Sequence, residues 1–177
     1  IVKNKKFSKL YKGKIFKDLI AALTPKPNMV LICNPSKFHE KYIRLCIKKN
    51  INFFVEKPAL VSSKNIKFFS NKIKNKKLVT MVGFQQRFNP IIKDIKNIIS
   101  KHTLGPVINA NFQWHTYLPD HHKYENYKNS YAAKNELGGG VTYSLIHEID
   151  LMQLFLGMPK SVIAIKNSIK KISINAE

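Results

Sequence analysis

Cysteine is scarce in this 177-residue chain, with only Cys33 and Cys46. Two isolated thiols exclude a disulfide-stapled scaffold and a zinc site built on paired C-x-x-C ligands. Both read as buried thiols, Cys33 in an apolar run and Cys46 in a helical pattern. Long apolar runs are missing too: none approaches the roughly eighteen residues of a membrane span. The N-terminal Ile-Val-Lys-Asn-Lys-Lys has no apolar segment of the signal-peptide kind, so the expectation is a cytoplasmic protein with no membrane role. Negative charge is sparse, with 10 acidic against 31 basic residues and a net charge of +21. Yet Arg44 and Arg87 are the two arginines, and bidentate recognition of bases and phosphates favours arginine. The lysines run from Lys3 to Lys171 among many Asn and Ile, which reads as a solvated coat and not as a nucleic-acid surface. With seven glycines the chain also contains no G-x-G-x-x-G turn, the usual cradle of a dinucleotide pyrophosphate.

What is present is a globular composition, 44% apolar and 11% aromatic. Apolar spacing predicts a helix over residues 14–23, ended by Pro25 and Pro27. Residues 29–33 read as a buried strand, Asn34-Pro35-Ser36 as the turn after it, and Ser36 as the cap of a helix running to Asn50. A second strand, Asn52 to Val55, precedes a helix begun by Ser62 or Ser63 and carrying Ile66, Phe69 and Ile73. Leu78 to Val82 is the third strand. Strands alternating with helices imply βαβ units, a parallel sheet and right-handed crossovers, the second half of a doubly wound domain.

After Gly83 the pattern changes. A helix is predicted from Pro90 to Ser100, and alternation over residues 107–114 predicts a half-exposed antiparallel strand. Residues 115–137 form a long polar loop holding His115, His121, His122 and four tyrosines. Gly138-Gly139-Gly140 then opens one helix through Leu145, Ile149, Leu151, Met152, Leu154 and Phe155, closed by Gly157 and Pro159. A strand-like pattern (Val162, Ile163, Ile165) begins near the end. With Ile as its first residue, the chain reads as a fragment, with a partial dinucleotide-binding domain at 1–88 and a partial α/β substrate and oligomerisation domain at 89–177. The fold class is α/β, half of a Rossmann-type sheet followed by the start of an α+β domain with a mostly antiparallel sheet.

The most specific signal is Glu56-Lys57-Pro58, placed directly after the apolar Phe53-Phe54-Val55. It sets an ammonium at the C-terminal end of a strand, where open α/β sheets bind ligands, and Pro58 restricts the direction in which Lys57 leaves. A surface lysine ending a strand is the plain alternative. His121, His122, His147, Glu148 and Asp150 are metal-ligand types, but without His-Glu-x-x-His spacing or paired cysteines no metal is expected.

Five segments occur in an order that resembles the glucose-fructose oxidoreductase, inositol dehydrogenase and rhizopine-catabolism (Gfo/Idh/MocA) family. They are Asn34-Pro35 with His39, Glu56-Lys57-Pro58, Val82 to Pro90, Leu104-Gly105-Pro106-Val107, and the glycine triplet followed by His147 and Asp150. The resemblance implies an NAD- or NADP-dependent oxidoreductase of a sugar, sugar derivative or cyclic polyol, homo-oligomeric when complete. Within it, Lys57 and His147 are the catalytic candidates. Asn34, Pro35, His39, Glu56, Lys57, Pro58, Gln86 and Arg87 fall on the cofactor side, and Lys57, Trp114, Tyr131, Ser144 and His147 on the substrate side. Arg87 has an equal claim to an interdomain ion pair. The loop residues, Trp114-His115 and Tyr131 among them, look like members from surface-polysaccharide and acidic-sugar pathways, with a subunit interface as the alternative. The family commonly has an aspartate three or four residues before its histidine, where this chain has Tyr143 and Ser144. A non-catalytic relative serving binding or assembly is therefore the second reading, and an acidic-polymer binder the third. The missing glycine-rich turn is expected upstream of Ile1.

Overall fold

The computed structural model describes residues 13–121, 124–165, 172 and 174–176. His122 lies outside them. Three parallel strands, β1 (Met29–Ile32), β2 (Asn52–Val55) and β3 (Thr80–Val82), form a sheet in the order β1-β2-β3. Met29 pairs with Asn52 and Ile32 with Val55, while Phe53 pairs with Thr80 and Val55 with Val82. Helices α2 (His39–Lys49) and α3 (Ile66–Asn75) are the two crossovers. Right-handed crossovers advancing in one direction place both helices on the same face of a sheet. The core follows from that: Ile32, Phe53 and Val55 point to the covered face and pack with Ile43, Cys46, Ile47 and Phe69. Each of these larger side chains contributes about 1.5–3 kcal/mol by leaving water.

The opposite face carries Met29, Leu31 and Met81, all exposed, with Phe54 partly covered. Among the described residues the strands are thus buried on one face, not both, because alternate residues point away from α2 and α3. Cys46 is 1% exposed within the core, whereas Cys33, expected to be buried, is exposed. It stands one residue past β1, at the sheet edge that neither helix covers.

Local chemistry sets the helix ends. Asp18 starts α1 (Leu19–Leu23), its Oδ2 accepting from Ala21 N at 2.6 Å, so the helix occupies only the second half of residues 14–23. Ser36 is buried in a short 3₁₀ turn before α2 and makes no capping bond; neither Ser62 nor Ser63 caps α3, which follows Asn65. Asn50 ends α2 in the left-handed conformation, its N–H donating to Cys46 and Ile47 carbonyls. Asn89 caps α4 (Pro90–Ser100), with Pro90 at the first turn where no N–H is required.

Beyond α4 no strand occurs among the described residues. Residues 107–114, expected as an antiparallel strand, and Val162 to Ile165, expected to begin one, are irregular. Alternation marks a half-exposed surface, but a strand needs a neighbour's N–H and C=O groups, and none lies alongside. The long loop is ordered into α5 (Leu118–His121) and three 3₁₀ turns. The glycine triplet leads into two helices instead of one, α6 (Val141–Ser144) and α7 (His147–Leu156), broken at Leu145. No described helix is long and apolar enough to cross a membrane.

Candidate active site

The sheet ladder ends where the chemistry begins. Glu56 N donates to Ile32 O at 2.9 Å and Gly83 N to Val55 O at 2.8 Å, so residues 33–34, 57–58 and 83–85 leave the three C-terminal strand ends side by side. Lys57 turns from this edge and its Nζ donates to the Ser144 carbonyl at 2.7 Å. The break at Leu145 matters here, because it takes the Ser144 carbonyl to the end of a helical turn. The Lys57–Pro58 peptide is cis. Burial pushes the Lys57 ammonium below its ordinary 10.5, with the Glu56 and Glu148 carboxylates pulling the other way.

Ser144 O and His147 are brought to the same place by the α6–α7 break. His147 is 8% exposed; its Nε2 lies 3.3 Å from Gln85 Nε2, and its ring meets Phe84 edge-on. Its Nδ1 is buried without a hydrogen-bond partner, and so are Ser144 Oγ, Glu148 Oε2 and Asn34 Oδ1. Buried polar atoms are normally paired, and three of these orphans, on Ser144, His147 and Glu148, belong to residues that bond to Lys57 or interact with its charge. Burial, and next the charge of Lys57, push the His147 imidazolium below 6.5 against the pull of Glu148, Asp150 and Glu56.

That shift has a consequence for stability. Below 6.5 the unfolded chain takes up a proton that the folded ring resists, so stability contributed at this position falls as pH drops. His147→Gln removes the uptake, and its urea midpoint is expected to be less acid-sensitive than wild type from about pH 7 to about pH 5. Equal slopes for the two proteins would refute the assignment.

Two cavities flank Lys57. One, of about 370 Å³, is lined by Glu56, Lys57, Gly83 and Gln85 with Phe54, Met81 and Phe88, at the strand ends. A Cβ on Gly83 would lie 2.9 Å from Phe54 Cζ and 3.2 Å from Glu56 Oε2, so glycine keeps this edge open. The other cavity, of about 550 Å³, lies beyond Ser144 and is lined by Trp114, His115, Tyr117, His121 and Val141 among others. Tyr131 is half-buried, its phenol pushed up by burial and then by the Glu56 carboxylate.

The structure therefore gathers Glu56, Lys57, Ser144 and His147, with Trp114 on the wall beyond Ser144. Arg87 is engaged elsewhere: Nε and Nη2 grip Asp150 at 2.6 to 3.1 Å, tying the turn after β3 to α7. Asp150 lies one helical turn after His147, so one ion pair and the Gln85 contact hold the same helix face. His39 is 0% exposed, with both ring nitrogens beside backbone carbonyls. Gln85 entered the sequence reading only within the segment Val82 to Pro90 and Glu148 only as a metal-ligand type, neither with a role at this site. Gln85 is the neighbour of the motif glutamine Gln86, and Glu148 is the residue after His147; adjacency was the available signal. Among the described residues no group of three or more His, Cys, Asp or Glu is placed to hold a metal ion.

A parallel βαβαβ sheet with a lysine leaving its C-terminal edge defines a Rossmann-type α/β protein, and open sheets of this kind bind ligands at that edge. Sequence comparison places it further. A model described as "Oxidoreductase family, NAD-binding Rossmann fold" matches residues 2–84, and one for the GFO/IDH/MocA C-terminal domain matches residues 92–175. The chain belongs to the Gfo/Idh/MocA oxidoreductase family. It is 26% identical over 141 residues to the oxidoreductase YteT of Bacillus subtilis, covering 78% of this chain and 32% of that protein. Inositol 2-dehydrogenase of Pseudarthrobacter chlorophenolicus is 25% identical over 150 residues, covering 84% of this chain and 40% of that enzyme. The chain thus spans well under half of these relatives. GenD2 from gentamicin A biosynthesis, solved in complex with NAD, shares the fold with a TM-score of 0.69 at 16% identity, covering 87% of this chain and 43% of that one.

Proposed function

We propose that this chain carries the nicotinamide end and the catalytic lysine of an NAD- or NADP-dependent oxidoreductase acting on a sugar, sugar derivative or cyclic polyol. The observation that carries the reading is the position of Lys57. It lines the strand-end cavity and donates across to Ser144, a wall of the second cavity, so it stands between the two spaces. A bound nicotinamide would supply or accept the hydride. This chain's own work is to hold the reacting carbinol and move its hydroxyl proton. Lys57, partly desolvated, faces the carbinol oxygen and hands the proton on, and His147, with an unpartnered Nδ1, is the second group able to take it.

The residues fit a nicotinamide. Asn34 Oδ1 is a buried acceptor awaiting a donor, and Glu56 and Gln85 line the same edge. The second cavity combines the Trp114 and Tyr117 rings with His115, His121 and Thr116, and this mixture of apolar faces and hydrogen-bonding groups suits a polyhydroxylated ring. Three inositol dehydrogenases among the relatives support that substrate class, one of them a scyllo-inositol 2-dehydrogenase of B. subtilis, 32% identical over 84 residues that cover 48% of this chain and 25% of that enzyme. Cytoplasmic location, homo-oligomeric assembly and the two-part division near residue 88 belong to the same proposal.

The test, made on the complete protein, is to titrate NADH and NADPH, following nicotinamide fluorescence, and then to screen inositols and sugar acids for oxidation. Saturable binding of one dinucleotide followed by reduction with a polyol is expected. Binding of neither would overturn the catalytic reading in favour of a non-catalytic relative.

A further inference from the structure

The resemblance puts His39 on the cofactor side, but its ring has no exposed surface. Its Nδ1 lies 2.8 Å from the Pro58 carbonyl and its Nε2 2.7 Å from the Asn34 carbonyl. Both partners are acceptors, so every bond made here is donated by the ring. A neutral imidazole donates to one of them, and a ring carrying both protons donates to both. The two carbonyls belong to the turns that leave β1 and β2. Past Glu56 the strand ladder no longer holds the second turn. Three contacts then fix it: Lys57 to the Ser144 carbonyl, the Tyr143 hydroxyl donating to the Val61 carbonyl at 3.0 Å, and the His39 contact. The first two reach forward to α6. The His39 contact alone among these three ties the turn back to the sheet's own α2 and, through Asn34, to the turn that presents the orphaned Asn34 Oδ1.

We propose that His39 is a positioning residue, a buried strut that clamps the Asn34 turn against the Pro58 turn and thereby sets where Lys57 and the Asn34 amide stand. It rests on the oxidoreductase reading only for its consequence in turnover; the strut itself is a property of this chain. The His39 ring has no exposed surface, so its effect travels through two backbone carbonyls.

The experiment reads Lys57 directly. Lysines are dimethylated with ¹³C-formaldehyde, the Lys57 signal is assigned with Lys57→Arg, and its titration is followed in wild type, His39→Leu and His39→Gln, alongside amide exchange. In His39→Leu the Lys57 titration moves up toward the ordinary 10.5, while the amides of β2 keep their protection. His39→Gln, whose amide reaches one carbonyl, falls between; if the leucine variant does not fold, the glutamine variant is read in its place. An unchanged Lys57 titration would overturn the proposal, and so would a uniform loss of protection across the sheet, which marks packing alone. NADH titration of the complete, unmethylated protein reports separately on the oxidoreductase reading. Failure to bind there, with Lys57 still responding to His39, would remove the function and leave the strut.

Discussion

Lys57→Met is expected to lower turnover by about 10²–10⁴-fold, the usual span for losing a positioned acid or base, while dinucleotide affinity changes little. Methionine keeps the apolar stem, so the half-buried path of the side chain stays filled, and the loss falls on the proton and on the bond to Ser144 O. Lys57→Arg does not restore activity. Guanidinium holds its proton far more tightly and needs a planar fork of acceptors that one carbonyl does not offer. Lys64→Met, at an exposed position, serves as the control with unchanged turnover. Steady-state rates at saturating polyol, set beside the NADH dissociation constant, check this. A fall in turnover of less than about tenfold would remove Lys57 from the proton path.

Gly139→Ala is expected to give the largest loss of stability of any single methyl added to this site. The new Cβ would overlap the Tyr131 carbonyl oxygen and sit 2.6 Å from that of Ala132 and 2.8 Å from the Ala132 carbonyl carbon. All three are backbone atoms, so no side chain can swing aside. The turn from Tyr131 to Ala133 has to move, and it is held by Gly139 N to Lys134 O and by Gly140 N to Ala132 O, both at 3.0 Å. Overpacking of this kind costs about 3 kcal/mol, which lowers the melting midpoint by about 6–12 °C for a chain of this size. Because α6 starts immediately after Gly140, the shift also moves Ser144 away from Lys57. Thermal melts of the two proteins measure the first effect and the Lys57 titration the second. A midpoint within about 2 °C of wild type would mean that the close approach is absent.

These two positions also show what kind of information each came from. Lys57 was legible because a strand, a charged residue and a proline are adjacent in sequence, and adjacency there fixes geometry: the strand ends, the lysine leaves, the proline turns. Gly139 was legible as a glycine but not as a contact, since the Tyr131 carbonyl that forbids a side chain is eight residues earlier and reaches it only by a fold of the loop. Arg87 lies between the two cases. Its motif was readable, but its engagement with Asp150 depends on how α7 lies against the turn after β3. The alternation over residues 107–114 misled because periodicity reports which face is apolar and says nothing of a neighbouring strand.

Sequence alone determined the alternation of strand and helix, and with it the parallel sheet, because 2-fold and 3.6-fold apolar periods and right-handed crossovers are local consequences of chirality and side-chain geometry. It also determined that the lysine of Glu56-Lys57-Pro58 stands at the C-terminal edge. The tertiary structure decided the rest: that α6 and α7 break at Leu145 so that Ser144 offers its carbonyl to Lys57, that His39 is sealed between two turns, and that one sheet face is open. Those features depend on contacts between residues up to 87 positions apart, whose energies no local pattern carries.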